Sequence, residues 1–252
     1  MALVFVGLLV FGALKLRFEQ ALAVSHRAAY FQTAKLDLGL REQIGQMGFI
    51  AALSGFRSLV ADGLYIHAHT LFERTEWGRL KLDFDAITSL QPRAVLFWDQ
   101  ASWHMAYNAG AAALLDREQP REALRLKAQR EYWRLGEDYL LRGIANNPDR
   151  PQLFEKLGTI YRDKFGDHCK AAQYFAESAK RPGAMQYVHR FAVYELAQCP
   201  GHEREAYEKL LELYNRGKEE QLPTLLRWLG HLQEELNIPA EQRVYIPPRA
   251  KP

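Results

Sequence analysis

The sequence has few of the residues and spacings from which most active sites are built. Its 252 residues include two cysteines, Cys169 and Cys199, and neither stands in a Cys-x2-Cys frame, which excludes the usual thiolate zinc sites. None of the eight histidines sits in a His-x3-His frame. His67 and His69 are two apart, so on a helix they face different ways, and His104, His168, His189, His202 and His231 are isolated. No glycine-rich phosphate loop follows a strand, and no Gly-x-Ser-x-Gly elbow occurs. Clean apolar–polar alternation flanked by tight two-residue turns is missing too. The acid pairs Glu219–Glu220 and Glu234–Glu235 fall on polar helix faces, where solvation accounts for them. These absences predict a protein that is not an enzyme and carries neither metal nor cofactor.

What is present favours helix. Leu, Ala, Glu, Arg, Gln and Lys dominate, and hydrophobic residues make up 48% against 25% charged, enough for a continuous core in an all-α fold. The net charge is +3, and its placement matters more than its size. Residues 1–60 hold Lys15, Arg17, Arg27, Lys35, Arg41 and Arg57 against Glu19, Asp37 and Glu42, while the remaining basic and acidic residues cancel. Basic residues beside an apolar N-terminus suit a lipid bilayer, whereas a nucleic-acid binder concentrates its charge on one face.

The N-terminal run Ala2–Leu14 is unbroken apolar sequence, extended past Lys15 by Leu16 and Phe18. Thirteen helical residues cover roughly 20 Å of the roughly 30 Å hydrocarbon core, and Lys15 and Arg17 lengthen the usable span by snorkelling. No basic residue precedes the run, against a cleavable signal peptide, and it has no polar face, against a helix of a soluble core. A membrane anchor fits best, with the core helix as the alternative. The basic flank after the run places the body in the cytoplasm, but a basic flank ahead of it would reverse that, so the side stays open.

A spacing then recurs along the chain: a small or apolar residue, another four on, a third three on, and a proline about five further. Leu80–Phe84–Ile87–Pro92, Gly136–Leu140–Gly143–Pro148 and Ala171–Phe175–Ser178–Pro182 follow it, the last one residue short at its proline. A first-helix pattern precedes the third set, with Phe154, Leu157, Gly158 and Tyr161 in register and one extra residue before Ala171. The chain thus resembles the tetratricopeptide repeat, a 34-residue helical hairpin with a Trp-x2-Leu-Gly-x2-Tyr first helix and an Ala-x3-Phe…Pro second helix. Leu64, Ala68 and Leu71 take first-helix positions in the first copy. Trp98, Ala101, Ser102 and Met105 do so in the second, and Val188, Phe191 and Ala192, then Ala206, Leu210 and Leu213, form a weaker fourth. Ser54–Asp62 resembles the lead-in of bacterial membrane-anchored proteins of this class.

The resemblance implies an α-solenoid of helical hairpins behind an N-terminal membrane-anchoring helix. Its expected layout is an anchor at 1–24, a helical lead-in at 25–60 and repeats at 61–94, 95–150, 151–184 and 185–215. A capping helix and proline-rich tail at 216–252 would complete it. The second copy exceeds the family length around Asp116–Arg134, where Pro120 and alternating charges predict an N-terminal extension of its second helix that projects beyond its neighbours. Cys169 and Cys199 fall in the turns of successive copies, which stacking brings to one edge; with two cysteines only, free thiols are expected, and an oxidising compartment would bond them.

In this family the inner groove is formed by the second, fifth, ninth and twelfth positions of each first helix, where a partner peptide or helix lies. Carried over, these are Asp62, Tyr65, His69 and Phe72, then Leu96, Asp99, Trp103 and Ala106 with Tyr107 adjacent, then Gln152, Glu155, Thr159 and Arg162. Tyr65, His69, Phe72, Asp99, Trp103, Tyr107, Glu155 and Arg162 are the expected partner-binding residues, the aromatic rings being the usual type of anchor. Equally, these rings could pack on the helices at 39–60. The basic clamp by which some relatives hold a carboxylate is absent. The expected function is a membrane-anchored scaffold holding a protein partner, as subunit or assembly factor of a membrane complex. The alternative is a soluble adaptor that binds a peptide or helix in the same groove, and a third reading, with only the histidines in its favour, is an enzyme that uses the groove as a cleft.

Overall fold

Leu80, Phe84 and Ile87 recur four and three apart, which puts them on one stripe of a helix, and all three are buried. The same holds for Gly136, Leu140 and Gly143 and for Ala171, Phe175 and Ser178. The structure, a computed structural model, describes residues 45, 55–244 and 246, all within one contact-defined unit, Gly39–Pro252. The expected anchor Ala2–Leu14, the lead-in up to Ser54 apart from Gly45, and the tail past Ile246 lie outside the described residues. Among the described residues no helix is long and apolar enough to cross a membrane, and the fold is all-α, with no strand.

Helix α1 spans Arg57–Glu73 and α2 Trp77–Leu90. Helix α3, Val95–Trp103, runs on through a π-helical turn, His104–Ala109, into α4, Gly110–Leu115. Helix α5 spans Glu122–Asn146, and α6, Pro151–Ile160, runs on into a second π-helical turn, Tyr161–Phe165. Helices α7 (His168–Ala179), α8 (Gln186–Leu196), α9 (Glu203–Asn215) and α10 (Pro223–Glu235) follow, with a last 3-10 turn at Ala240–Gln242. Proline opens α6 and α10, where its missing N–H costs nothing. Gly166, at φ +63°, ends the second π-turn in the left-handed conformation that glycine adopts freely. The Asp167 carboxylate then caps α7 by accepting from the Lys170 backbone N–H at 2.9 Å.

Each helix packs mainly on its neighbours in sequence: α1 on α2, α3 and α4 on α5, α6 on α7, α7 on α8, and α9 on α8 and α10. Buried Leu225, Leu229 and Leu232 of α10 close the core over α9. Ile246 belongs to that cluster; its side chain lies against α10, 3.1 Å from where a Cβ on Gly230 would sit. The helix ends are tied by side chains that donate to carbonyls near the prolines. Trp98 and Asn147 reach the Pro92 carbonyl at 2.9 and 2.8 Å, and buried Ser178 reaches that of Pro151 at 2.8 Å.

The long second hairpin has both of its helices lengthened. Helix α4 runs beside the start of α5, with the Trp133 indole so close to Gly110 that a Cβ there would stand 3.0 Å from its nitrogen. The predicted extension of α5 therefore has a helical companion along part of its length.

Between α2 and α5, the Asp85 carboxylate collects Tyr139 Oη at 2.9 Å, Arg142 at 3.2 Å and Lys81 Nζ at 2.6 Å. Burial and the Asp85 charge push the Tyr139 phenol well above its usual range. Tyr139→Phe keeps the ring but removes the donor, and we expect it to cost about 1–2 kcal/mol in urea denaturation. No change in midpoint would show that Lys81 and Arg142 alone satisfy the carboxylate.

The cysteines correct the sequence-based expectation of free thiols: Cys169 and Cys199 form a disulfide, with Cα atoms 4.8 Å apart. Cys169 is the second residue of α7 and Cys199 lies in the turn after α8. Because α7 and α8 pack along their length, the start of one meets the end of the other. His168 and buried Glu195 pair at 2.7 Å on the same edge. A count of two cysteines could not reveal this; the closeness of the two helix ends decides it.

Candidate functional site

The expected groove residues divide into two groups. Tyr65 and Phe72 of α1 are half-buried and serve the packing between helices. The Tyr65 ring lies 6.3 Å from Phe84 of α2 and 5.4 Å from Phe97 of α3. Phe72 lies 6.0 Å from Trp77 and 4.7 Å from His104. These rings are held by α2, α3 and the first π-turn, and neither lines the cavity that the second group forms. His69 is exposed and leans toward Glu73 at 3.5 Å.

The second group converges. Asp99 and Trp103 of α3, Tyr107 of the first π-turn and Lys156, Thr159 and Ile160 of α6 line a cavity of about 210 Å³. Trp103 is 45% exposed although Trp98 and Ala101, on the same helix, are buried; its indole faces outward beside the cavity. Lys156 reaches across to Asp99 at 3.4 Å, with both side chains partly exposed. This is a loose ion pair of the kind worth about 0–1 kcal/mol.

Tyr107 also ties the cavity to the second π-turn. Tyr107 donates to Asp163 at 3.3 Å, and Arg162 Nε donates to the same carboxylate at 2.7 Å. Burial and the Asp163 charge push the Tyr107 phenol up to about 12, so it stays a donor at neutral pH. Lys164 Nζ stands 3.8 Å from the centre of the Tyr107 ring, a cation–π contact, and burial lowers its pKa. The Arg162 guanidinium also lies 5.7 Å from the Phe175 ring and 5.6 Å from the Phe191 ring of α8. Glu155 faces α8 as well and accepts from Tyr187 Oη at 2.8 Å. Glu155 of α6 and Arg162 of the second π-turn thus reach α8 and stand outside the cavity lining.

Both stretches that continue α3 and α6 are π-helical, and Tyr107 and Asp163 join them. A π-turn closes its hydrogen bonds over one residue more than an α-turn, and such turns recur at functional sites. Lys156, Ile160 and Asp163 escaped the sequence reading. Lys156 is at the sixth position of its repeat, next to but outside the family's groove positions, and Asp163 follows Arg162; the alternation of charges Lys156, Arg162, Asp163, Lys164 was the available signal. Among the described residues no group of three His, Cys, Asp or Glu side chains comes together to hold a metal.

The arrangement offers an exposed aromatic ring and one acid and one base on separate helices, with the Tyr107 and Thr159 hydroxyls already donating to Asp163 and to the Glu155 carbonyl, around a space large enough for a single bulky side chain. No family model, curated protein or solved structure matches the chain.

Proposed function

We propose that the chain is a non-enzymatic, membrane-anchored scaffold, an α-solenoid of tetratricopeptide-like hairpins that holds a protein segment against the α3–α6 face. The observation that carries this reading is Trp103, exposed beside the cavity while the ring positions around it are packed. A large aromatic side chain left open next to a concavity is the usual core of a binding hot spot. Packing of each helix on its sequence neighbours, with the repeated positions buried, supports the solenoid. The apolar run Ala2–Leu14 followed by Lys15 and Arg17 supports the anchor. The partner is a protein, a subunit of the membrane complex in which the scaffold works as subunit or assembly factor.

Crosslinking in carbonate-washed membranes tests both parts. The wild-type chain should stay in the washed membranes and crosslink to a discrete partner. Trp103→Ala should keep its helical circular dichroism and capture that partner roughly thirtyfold more weakly, the equivalent of about 2 kcal/mol at an aromatic anchor. Tyr65 is unsuitable for this test because its ring is part of the packing. Capture at full strength by Trp103→Ala would overturn the groove, and loss of the chain from the washed membranes would overturn the anchor.

A further inference from the structure

The two sulfurs of the disulfide differ in access. Cys169 is an exposed residue on the first turn of α7, and Cys199 is only 4% exposed. Lys170 follows Cys169, and the nearby Asp167 carboxylate is engaged by the Lys170 backbone N–H at 2.9 Å and its Nζ at 3.7 Å. The nucleophile in thiol–disulfide exchange must be reached by its reagent, so access decides which of the two sulfurs reacts first. Cys199 is held in a hydrogen-bonded turn, with its N–H on the Leu196 carbonyl at 3.0 Å and its own carbonyl accepting from His202 at 3.1 Å. One cysteine is placed to meet a reagent, and the other to close on its neighbour.

We propose that Cys169 is a thiol–disulfide exchange site at which an oxidant of the dithiol–disulfide class introduces the bond to Cys199, so that the helical body completes its fold in an oxidising compartment. The Cys169 thiolate attacks one sulfur of the oxidant's disulfide, forming a mixed disulfide and releasing the oxidant's other sulfur as a thiolate. The Cys199 thiolate then attacks Cys169 Sγ, forming the internal bond and expelling the oxidant's second thiolate. Two electrons pass from the cysteine pair to the oxidant, and the two thiol protons go to solvent. Stable disulfides belong to oxidising compartments, so the body lies on the extracytoplasmic side, against the side the basic flank after Leu14 favours. The bond also fixes the far end of α8, whose Tyr187 and Phe191 contact Glu155 and Arg162. This inference is independent of which partner the α3–α6 face holds.

The test uses the full chain with oxidised glutathione as the oxidant. Reduced wild type should close its internal bond and retain no adduct. Cys199→Ser should retain glutathione on Cys169, and folded Cys169→Ser should leave Cys199 unmodified. A second measurement needs no variant: in a brief iodoacetamide pulse on the reduced wild type, Cys169 should alkylate on the order of tenfold faster than buried Cys199. Equal adducts on the two variants, or equal alkylation rates, would overturn the exchange site. Chain alkylated in its own cells before lysis should show both cysteines protected until reduced; both alkylated without reduction would overturn the compartment.

Discussion

Gly136→Ala is expected to lower the melting temperature by roughly 4–10 °C, the result of overpacking by about 2–3 kcal/mol in a domain of this size. A Cβ at Gly136 would lie 2.6 Å from the Ala106 Cβ and 2.9 Å from the Ser102 carbonyl oxygen. Neither neighbour is the movable end of a side chain, so α5 must move away from α3 and from the first π-turn. The gain in helix propensity from Gly to Ala, about 1 kcal/mol, offsets only part of this. Gly63 in α1 supplies the control. Nothing lies within 4 Å of its added Cβ, so Gly63→Ala should raise stability by about 0.5–1 kcal/mol. Gly158→Ala should fall between them, since its Cβ would meet the Phe175 ring at 3.0 Å and a ring can tilt. Thermal melts of the three variants give the order directly. A Gly136→Ala melt at or above wild type would show that α5 stands farther from α3 than the structure has it.

The periodic part of this architecture was legible in the sequence because it follows from side-chain size on one helical stripe. Leu80, Phe84 and Ile87, and the matching residues of α5 and α7, are buried where the spacing put them. Gly158 stands at the family's glycine position, and the Phe175 ring of α7 packs against it, 3.0 Å from where its Cβ would sit. The extra residue counted before Ala171 has a structural counterpart in the π-turn Tyr161–Phe165, which takes up one residue more than an α-turn. Sequence alone could not locate it there: the residues flanking the first π-turn and Ile160 before the second keep ordinary helical angles, and the left-handed Gly166 after the second marks a helix end of the kind α-helices share.

The candidate site was only partly legible. Position within a repeat says which way a side chain leaves its helix, and so Trp103 was expected outward and is exposed. It does not say what the neighbouring helix brings to the same place. Tyr65 and Phe72 left α1 toward rings of α2, α3 and the first π-turn, and Lys156 came toward Asp99 from α6. Both outcomes depend on how far one hairpin is rotated against the next, a quantity spread over every contact between them.

Removing the disulfide by Cys169→Ala together with Cys199→Ala should cost about 3 kcal/mol, or roughly 6–12 °C in melting temperature. The bond closes a loop with a sequence separation of 30, and the cost reflects mainly the freedom returned to the unfolded chain. Because either substitution alone opens the same loop, the two single variants should each lose nearly the full amount and the double variant little more, a strongly non-additive cycle. Reduced wild type should melt close to the double variant, which separates loss of the cross-link from any effect of the new side chains. The folded helices should keep their circular dichroism, because α7 and α8 are joined along their length by apolar packing, with the Phe175 and Phe191 rings 5.6 Å apart. If oxidised and reduced wild type melt together, the unfolded chain gains nothing from the open loop, and the closeness of the two helix ends is set by the packing of α7 on α8 alone.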